Sequence, residues 1–165
     1  MAPEEIGRLI DAQAAALALY ARQWCASPED VVQEAMLRLA GLRTSPPNVV
    51  AWLFTTVRHA AISAGRSERR RKRREAVAAA RAPAWFVPSE RGRLDAEQAA
   101  AALAQLPPDE QEAIVAHLWG GLKFEEIGPL MGVSGATAYR RYVAGLEALR
   151  GKLGESWAPT TSIRN

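Results

Sequence analysis

Residues 66–75, RSERRRKRRE, are the part of the sequence with the densest concentration of charged side chains. Seven of these ten residues are basic. Guanidinium and ammonium groups at this density neutralise a polyanion such as the phosphate backbone of a nucleic acid. Runs of like charge are also typical of solvated or disordered segments. The run by itself therefore leaves three interpretations open: a solvated charge run, a disordered segment or a nucleic-acid-binding surface.

Side chains that could carry covalent or metal chemistry are scarce. The sequence has two histidines, His59 and His117, and one cysteine, Cys25, which has no histidine nearby in sequence. It also has no glycine-rich phosphate loop, and a metal site needs several suitable ligands. We therefore expect no catalytic residue, no bound metal and no cofactor, and an enzyme is the weakest of the function classes.

The positive charge of the chain is concentrated in one segment. The net charge is +3 over 165 residues, but residues 49–81 alone hold nine basic and two acidic side chains. A chain that is close to neutral elsewhere is expected to contact a polyanion at one place rather than over its whole surface.

The composition predicts an all-α protein. Hydrophobic residues make up 48% of the chain, alanine is abundant and β-branched residues are sparse. No stretch of apolar residues is long enough for a membrane span, and the N-terminus lacks the pattern of a signal peptide. The lone Cys25 excludes an intramolecular disulfide and fits a reducing compartment, so we expect a cytoplasmic protein.

Three helices are predicted before residue 81, and the third carries the basic run. The first covers residues 4–24, and the second has Ser27 as its N-cap and Pro28 as its first residue. After the loop "RTSPPNVV", a third helix begins near Val49 and continues through the basic run. One face of this helix is lined by Leu53, Val57, Ala60 and Ala64. Because the arginines extend an amphipathic helix, the run is better interpreted as a positioned surface than as a disordered tail.

Prolines and glycines divide the chain into two small helical domains. The linker between them, "APAWFVPSERG", contains two prolines and a glycine and has no helical period. We expect its aromatic residues, Trp85 and Phe86, to pack against their own domain. The predicted parts are a first domain at residues 1–81, the linker at 82–92, a second domain at 93–153 and a tail at 154–165.

The segment "LKFEEIGPLMGVSGATAYRRYVAGLEALRGKL" predicts a helix-turn-helix. A short amphipathic helix ends at Gly132, which suits the left-handed conformation of a sharp turn. Val133 fills the turn, and Ser134 caps a second helix. Two helices joined in this way are typical of DNA-binding proteins, in which the second helix lies in the major groove. A plain helical hairpin with an exposed basic face is the simpler alternative.

The start of that second helix supplies candidate DNA-binding residues. Thr137 and Arg141 suit phosphate groups. Tyr139 and Arg140 are the candidates for reading base edges, with arginine suited to guanine. The full set is Ser134, Ala136, Thr137, Tyr139, Arg140 and Arg141.

Two stretches, in this order, resemble the sigma factors of bacterial RNA polymerase. "SPEDVVQEAMLRLA" followed by "PPNVVAWLFTTVRHAAISAGRSERRRKRR" is similar to sigma region 2. "LPPDEQEAIVAHLWGGLKFEEIGPLMGVSGATAYRRYVAGLEALR" is similar to sigma region 4. The resemblance is to the short extracytoplasmic-function (ECF) type, which keeps only these two regions. It implies a region 2-like helical bundle and a region 4-like helix-turn-helix domain in a protein that binds core polymerase, directs it to promoters and assists promoter melting.

The resemblance also implies roles for individual residues of region 2. The helix containing "EDVVQEA" would bind core polymerase through Asp30, Gln33, Glu34, Leu37 and Arg38. In the loop that follows, Ser45 and Asn48 would contact a flipped base of the −10 element. The basic run would secure promoter DNA while the strands part. The other −10 contacts implied are Arg58, His59, Ile62, Arg66, Arg69, Arg70 and Arg73.

The expected partners follow from the same resemblance. They are core RNA polymerase, through the coiled coil of its largest subunit and its flap, and promoter DNA, with region 4 on the −35 element. An anti-sigma factor stays open as a further partner, no membrane contact is expected, and the free protein is expected to be a monomer.

The sequence departs from the family pattern at four positions. Ser63 stands where an aspartate is usual, and Pro129 lies inside the first helix of the helix-turn-helix, where it removes a backbone hydrogen bond. Tyr139 and Ala144 stand where basic residues are usual in the family. We therefore do not assume that this protein recognises the −35 DNA sequence that is typical of the family.

Two other classes of protein stay open. An autonomous helix-turn-helix regulator that binds duplex DNA as a dimer accounts for the C-terminal half, but not for the acidic "EDVVQEA" helix or the basic third helix. An RNA-binding protein accounts for the arginine run but leaves the helix-turn-helix without a role. A monomer that binds a promoter poorly until it joins the polymerase would distinguish a sigma factor from both.

Overall fold

The structure of the chain, a computed structural model, describes residues 3–75 and 101–153. Every regular element in these ranges is helical, which confirms the predicted all-α class. Residues 101–104 are helical, and a π-helical turn at Val115–Trp119 continues the fourth helix. The helices are α1 (Pro3–Ala21), α2 (Pro28–Ala40), α3 (Val49–Glu75), α4 (Pro108–Ile114), α5 (Phe124–Met131) and α6 (Gly135–Leu153).

Local sequence signals explain where α2 and α3 begin. Pro28 is the first residue of α2, and acidic residues in its first turn favour the positive end of the helix. Ser27 occupies the N-cap position as predicted, but its side chain makes no capping hydrogen bond. Helix α3 has a side-chain cap, because Asn48 Oδ1 accepts a hydrogen bond from the backbone nitrogen of Ala51 at 2.9 Å.

Helices α1, α2 and α3 pack into one bundle around aromatic and aliphatic side chains. The Tyr20 ring contacts Phe54 at a centroid distance of 4.8 Å and Trp24 at 4.9 Å. Leu53 and Val57, which were predicted to lie on the inner face of the third helix, are fully buried. The bundle therefore fixes which face of α3 is turned outwards.

Helices α4, α5 and α6 form a second bundle, in which α4 and α5 pack on α6. Gly132 ends α5 in the left-handed conformation, with φ of 71°, as predicted. Ser134 caps α6, because its Oγ accepts a hydrogen bond from the backbone nitrogen of Thr137 at 3.2 Å. Ile127 and Ala138 are fully buried between the two helices' inner faces. The predicted helix-turn-helix is therefore present.

Pro129 does not end α5. The helix continues through this exposed residue to Met131. A proline within a helix removes one backbone hydrogen bond, and the loss here falls on the solvent side of a short helix. The departure from the family pattern at this position leaves the helix-turn-helix intact.

Several predictions concern residues outside the described ranges. The linker at residues 82–92, with Trp85 and Phe86, and the tail at residues 154–165 belong to them. The predicted domain boundaries therefore stay predictions. Among the described helices, none has both the length and the apolar character that crossing a membrane requires.

The two helices of the helix-turn-helix cross with their backbones in contact. A Cβ atom on Gly128 would lie 2.7 Å from the backbone nitrogen of Gly135 and 2.8 Å from the carbonyl carbon of Ser134. Both neighbours are main-chain atoms, so no side-chain rotation relieves the contact. Glycine at position 128 therefore sets how closely α5 approaches the start of α6.

We predict that Gly128→Ala lowers the free energy of unfolding by about 1–3 kcal/mol, because the added methyl group overpacks the crossing. Gly151→Ala is the control, since a Cβ at this exposed position of α6 meets nothing within 4 Å. It should raise the free energy of unfolding by about 0.5–1 kcal/mol, because alanine favours helix over glycine. Urea denaturation followed by circular dichroism measures both values. Equal stability of the two variants would contradict the close crossing.

Candidate polymerase and nucleic-acid interfaces

The outer face of α2 presents the five side chains predicted to bind polymerase. All five are exposed, whereas the residues between them are buried in the bundle. Leu37 is 67% exposed, although leucine is usually among the most buried residue types. Glu34 forms an ion pair with Arg38 one helical turn away. An exposed apolar side chain with charged neighbours is a feature of protein-binding surfaces. The five residues are Asp30, Gln33, Glu34, Leu37 and Arg38.

Arginines of α3 form a cationic strip on the surface. Arg66, Arg69, Arg70 and Arg73 are all exposed and line one shallow depression. Their spacing of three and four residues keeps them on one side of the helix. The Arg70 guanidinium also donates to Ser67 Oγ at 3.2 Å. Such a strip can neutralise several phosphates of a nucleic acid.

The structure divides the remaining predicted −10 residues into two groups. Ser45 and His59 are exposed, and Ile62 is half-buried in a shallow depression beside Trp24. Arg58 and Asn48, by contrast, are engaged in hydrogen bonds with carboxylates of the second bundle.

Glu112 on α4 is the charged side chain at the centre of this contact. It is 3% exposed. Its Oε1 accepts hydrogen bonds from the Tyr20 hydroxyl at 2.6 Å and from Arg58 Nε at 2.7 Å. The Arg58 guanidinium also lies 5.7 Å from the centre of the Trp24 ring, within reach of a cation–π interaction. One buried carboxylate therefore joins α1, α3 and α4.

A second carboxylate of the same half makes a similar contact. The side-chain amide of Asn48 donates to Glu126 Oε1. Glu126 Oε2 accepts a hydrogen bond from the backbone nitrogen of Lys123 at 2.8 Å, which satisfies a free donor at the start of α5. The starts of α3 and α5 are therefore tied together through Asn48 and Glu126.

Sequence reasoning missed Tyr20, Glu112 and Glu126. Glu112 lies 92 residues from Tyr20 and 54 residues from Arg58 along the chain. Helical periodicity cannot pair residues so far apart. The one local signal is that Glu112 directly precedes a buried run at residues 113–116, where a charged side chain is unusual.

The environment of this cluster shifts two pKa values. Burial raises the pKa of the Tyr20 phenol far above its ordinary value, and the charge and hydrogen bond of Glu112 raise it further. Burial alone lowers the pKa of Arg58, but the hydrogen bond and charge of Glu112 outweigh that effect, so the pKa is raised. Tyr20 therefore remains a neutral hydrogen-bond donor and Arg58 remains a cation.

The start of α6 carries a hydrogen-bonded network. Ser134 Oγ lies 3.0 Å from Thr137 Oγ1, which accepts a hydrogen bond from Arg140 Nη2 at 3.0 Å. Tyr139 is 52% exposed, and its ring makes an edge contact with Phe124 at 5.2 Å. The two candidates for base reading, Tyr139 and Arg140, therefore stand on the outer surface with fixed neighbours.

The other predicted residues of α6 differ in exposure. Ala136 is exposed, as is Ser134, whereas Thr137 is half-buried. Arg141 is also half-buried, and its Nη2 lies 3.0 Å from Asp109 Oδ2 on α4. Arg141 therefore connects α6 to α4 as well as lying near the candidate DNA surface.

The side chain of His117 makes contacts that belong to the packing of the second bundle. Its Nδ1 lies 2.8 Å from the carbonyl oxygen of Leu122, and its ring stacks on Phe124 at a centroid distance of 4.4 Å. In the described parts of the chain, histidine, cysteine and carboxylate side chains form no group of three that could hold a metal ion.

The fold and these surfaces define a helical DNA-binding protein, with a cationic helix in one bundle and a helix-turn-helix in the other. Two protein families match the same two halves. The family described as "Sigma-70 region 2" matches residues 9–71, and "Sigma-70, region 4" matches residues 96–149.

Two relatives support the same assignment. The ECF RNA polymerase sigma factor EcfG of Rhodopseudomonas palustris (strain TIE-1) is 34% identical over 119 residues, which are 68% of this chain and 64% of that protein. The RNA polymerase sigma factor CarQ of Myxococcus xanthus is 36% identical over 135 residues, 77% of this chain and 75% of that protein. The chain thus spans just under two thirds of one relative and three quarters of the other.

Two solved structures share the fold. One is the sigma factor RpoE in complex with the anti-sigma factor NepR from Bartonella quintana, with a TM-score of 0.67, 22% identity and coverage of 93% of this chain and 99% of that chain. The other is CnrH in complex with the cytosolic domain of CnrY, with a TM-score of 0.62, 22% identity and coverage of 92% and 89%. The chain belongs to the sigma-70 family, as an RNA polymerase sigma factor of the ECF type. This membership disfavours the autonomous regulator.

We predict that the stability of the protein falls above pH 10 because of Tyr20. The unfolded phenol loses its proton near pH 10, whereas the folded phenol, with its raised pKa, keeps it. The unfolded state then binds fewer protons, so the free energy of unfolding decreases by about 1.4 kcal/mol per pH unit from this group. Urea denaturation of the wild type and Tyr20→Phe between pH 9 and pH 11 should show a shallower decrease in the variant. Equal slopes would show that Tyr20 titrates normally.

Proposed function

We propose that this sigma factor binds core RNA polymerase through the outer face of α2, directs it to promoters through α3 and α6, and assists strand opening. One observation supports the proposal above the rest. A single chain of the ECF type presents three separate exposed surfaces: the charged α2 face around Leu37, the arginine strip of α3 and the start of α6.

The α2 face has the composition of a helix-binding surface. Leu37 supplies apolar area at its centre, and Asp30 and Glu34 supply charges that fix the register of a docked helix. A shallow apolar groove between α1 and α2 adjoins it, lined by residues that include Ile10, Met36 and Leu37 itself. We propose this face as the contact with the coiled coil of the largest polymerase subunit.

The arginine strip of α3 is proposed to hold the promoter near the −10 element. If its arginines neutralise about four phosphates, the logarithm of the binding constant falls with a slope of about −3.6 against the logarithm of the salt concentration. Ser45 and Asn48, at the loop before α3, are the proposed contacts of a flipped base, whose extrusion costs a few kcal/mol. Arg58, His59 and Ile62 are proposed to lie along the edge of the melted region.

The start of α6 is proposed to read the −35 element. Thr137 accepts a hydrogen bond from Arg140 and so restrains the guanidinium near the surface where a groove would lie. Arginine in this orientation suits the two acceptors of guanine. Tyr139 adds an aromatic surface next to it, in a position where the family usually has a basic residue.

Strand opening in this proposal needs no covalent chemistry. A protein that binds separated strands more tightly than duplex shifts the equilibrium between them by the difference in affinity. The proposed contacts are hydrogen bonds and phosphate ion pairs, which suffice for such differential binding. We therefore propose a non-enzymatic initiation factor without a cofactor, with an anti-sigma factor as a further candidate partner.

We predict that Leu37→Asp, and separately the double variant Asp30→Ala with Glu34→Ala, abolish stable co-elution with core RNA polymerase in size-exclusion chromatography. The affected side chains are exposed, so the bundle should stay folded while affinity falls by about 2 kcal/mol or more. The control Asp11→Ala with Glu147→Ala removes two exposed acidic groups outside this face and should co-elute like the wild type. Co-elution of the Leu37→Asp variant would place the interface elsewhere.

We predict that Arg140→Ala weakens binding of the holoenzyme to its −35 element by about 1–3 kcal/mol, the discrimination of one bidentate base contact. The DNA is selected from a random duplex library by the wild-type holoenzyme, and affinity is measured by fluorescence anisotropy. Arg150→Ala is the control, because it removes an exposed cation from the other end of the same helix. If the two variants lose the same affinity, Arg140 contributes only general charge.

A further inference from the structure

The start of α6 presents an apolar surface as well as hydrogen-bond donors. Tyr139 is 52% exposed, and Ala136, which is also exposed, lies one helical turn before it. Ala138 is fully buried and marks the inner side of the helix, so the Tyr139 ring and the Ala136 methyl group lie away from the core. A large aromatic ring left exposed on a polar surface is available to bind a partner.

Contacts within the second bundle hold the Tyr139 ring in place. The ring lies edge to face with Phe124, at a centroid distance of 5.2 Å and an interplanar angle of 80°. Phe124 in turn contacts the rings of His117 at 4.4 Å and Tyr142 at 5.3 Å. Edge-to-face pairs of this kind stabilise the relative orientation of the rings. The Tyr139 ring therefore loses little conformational freedom when it contacts a ligand.

Arg140 lies directly beside this apolar surface. Its guanidinium donates to Thr137 Oγ1 at 3.0 Å, and Thr137 Oγ1 lies 3.0 Å from Ser134 Oγ, the cap of α6. A guanidinium has five N–H donors, so the bond to one neutral hydroxyl leaves it both its charge and its capacity to bind a base. A cationic donor and an apolar surface therefore stand side by side on the outer face of α6.

These two features together match one chemical pattern in the major groove of DNA. Guanine offers two acceptors, N7 and O6, which suit arginine, whereas the distinctive group of thymine is its C5-methyl, which suits an apolar contact. Cytosine, adenine and guanine present no methyl group in the groove. An aromatic ring and an alanine methyl group beside an arginine therefore favour a thymine next to a guanine.

We propose that Tyr139, together with Ala136, is a specificity-determining residue that selects a thymine of the −35 element through its C5-methyl group, next to the guanine bound by Arg140. The inference rests on the proposed function, because it takes α6 as the helix that reads the −35 element. A cation at position 139 would bind phosphates or guanine acceptors and would not distinguish thymine from uracil. Dependence of binding on this one methyl group therefore tests the role of Tyr139.

The test uses duplexes that the wild-type holoenzyme selects from a random library. Each guanine is first replaced by 7-deazaguanine, which lacks the N7 acceptor. The guanine bound by Arg140 is the one whose replacement weakens binding by the wild type but not by Arg140→Ala. Each thymine in the adjacent base pairs is then replaced by deoxyuridine, which lacks only the C5-methyl group. Fluorescence anisotropy measures the dissociation constant of the holoenzyme for each duplex.

We expect deoxyuridine at one adjacent thymine to weaken binding by the wild type about fourfold, which corresponds to about 0.8 kcal/mol for one buried methyl group. Tyr139→Ala and Tyr139→Lys should bind the thymine and deoxyuridine duplexes equally. Tyr139→Phe should keep the difference, because it keeps the ring. Thymines far from the located guanine are the internal control, and circular dichroism checks that each variant is folded.

The proposal is overturned if the selected duplexes have no thymine beside that guanine, or if deoxyuridine leaves the affinity of the wild type unchanged. It is also overturned if Tyr139→Ala depends on the methyl group as strongly as the wild type does. In each of these cases the located guanine still supports the proposed function of α6. If no guanine is located with Arg140→Ala, the proposed role of Arg140 and this inference fail together.

Discussion

The carboxylate of Glu112 is enclosed by groups from both halves of the chain, and an enclosed carboxylate requires donors to replace the water that it has lost. Tyr20 and Arg58 supply them at 2.6 and 2.7 Å. Because these donors come from α1 and α3, the requirement is met only in one mutual arrangement of the two bundles. The Tyr20 ring is at the same time a central part of the first core, so the polar contact is anchored in apolar packing.

The same contact links the two candidate nucleic-acid surfaces. Arg58 lies on α3 about two helical turns before the arginine strip begins. On the other side, α4 carries Glu112 and also Asp109, whose ion pair with Arg141 joins α4 to α6. Glu112 is therefore connected through single helices to both candidate surfaces.

The sequence predicts the local parts of this structure well, because each depends on neighbouring residues. The left-handed Gly132, the Ser134 cap and the buried face of α3 all follow from residue type and helical period. The five residues that the resemblance implies as polymerase contacts lie on one exposed face of α2. The role of Asn48 as the cap of α3 was missed, although an asparagine directly before a helix is a common N-cap.

Contacts between the halves were not predictable from the sequence, because a glutamate or an arginine in a helix is ordinarily solvated. The sequence alone does not show whether water, a partner or a distant part of the same chain will form the hydrogen bonds of a polar side chain. Arg58 and the arginine strip have similar chemistry and lie on one helix, yet the first is paired internally and the second is exposed. Exposed arginines attract DNA of any sequence at long range, whereas the charge of Arg58 is balanced locally by Glu112.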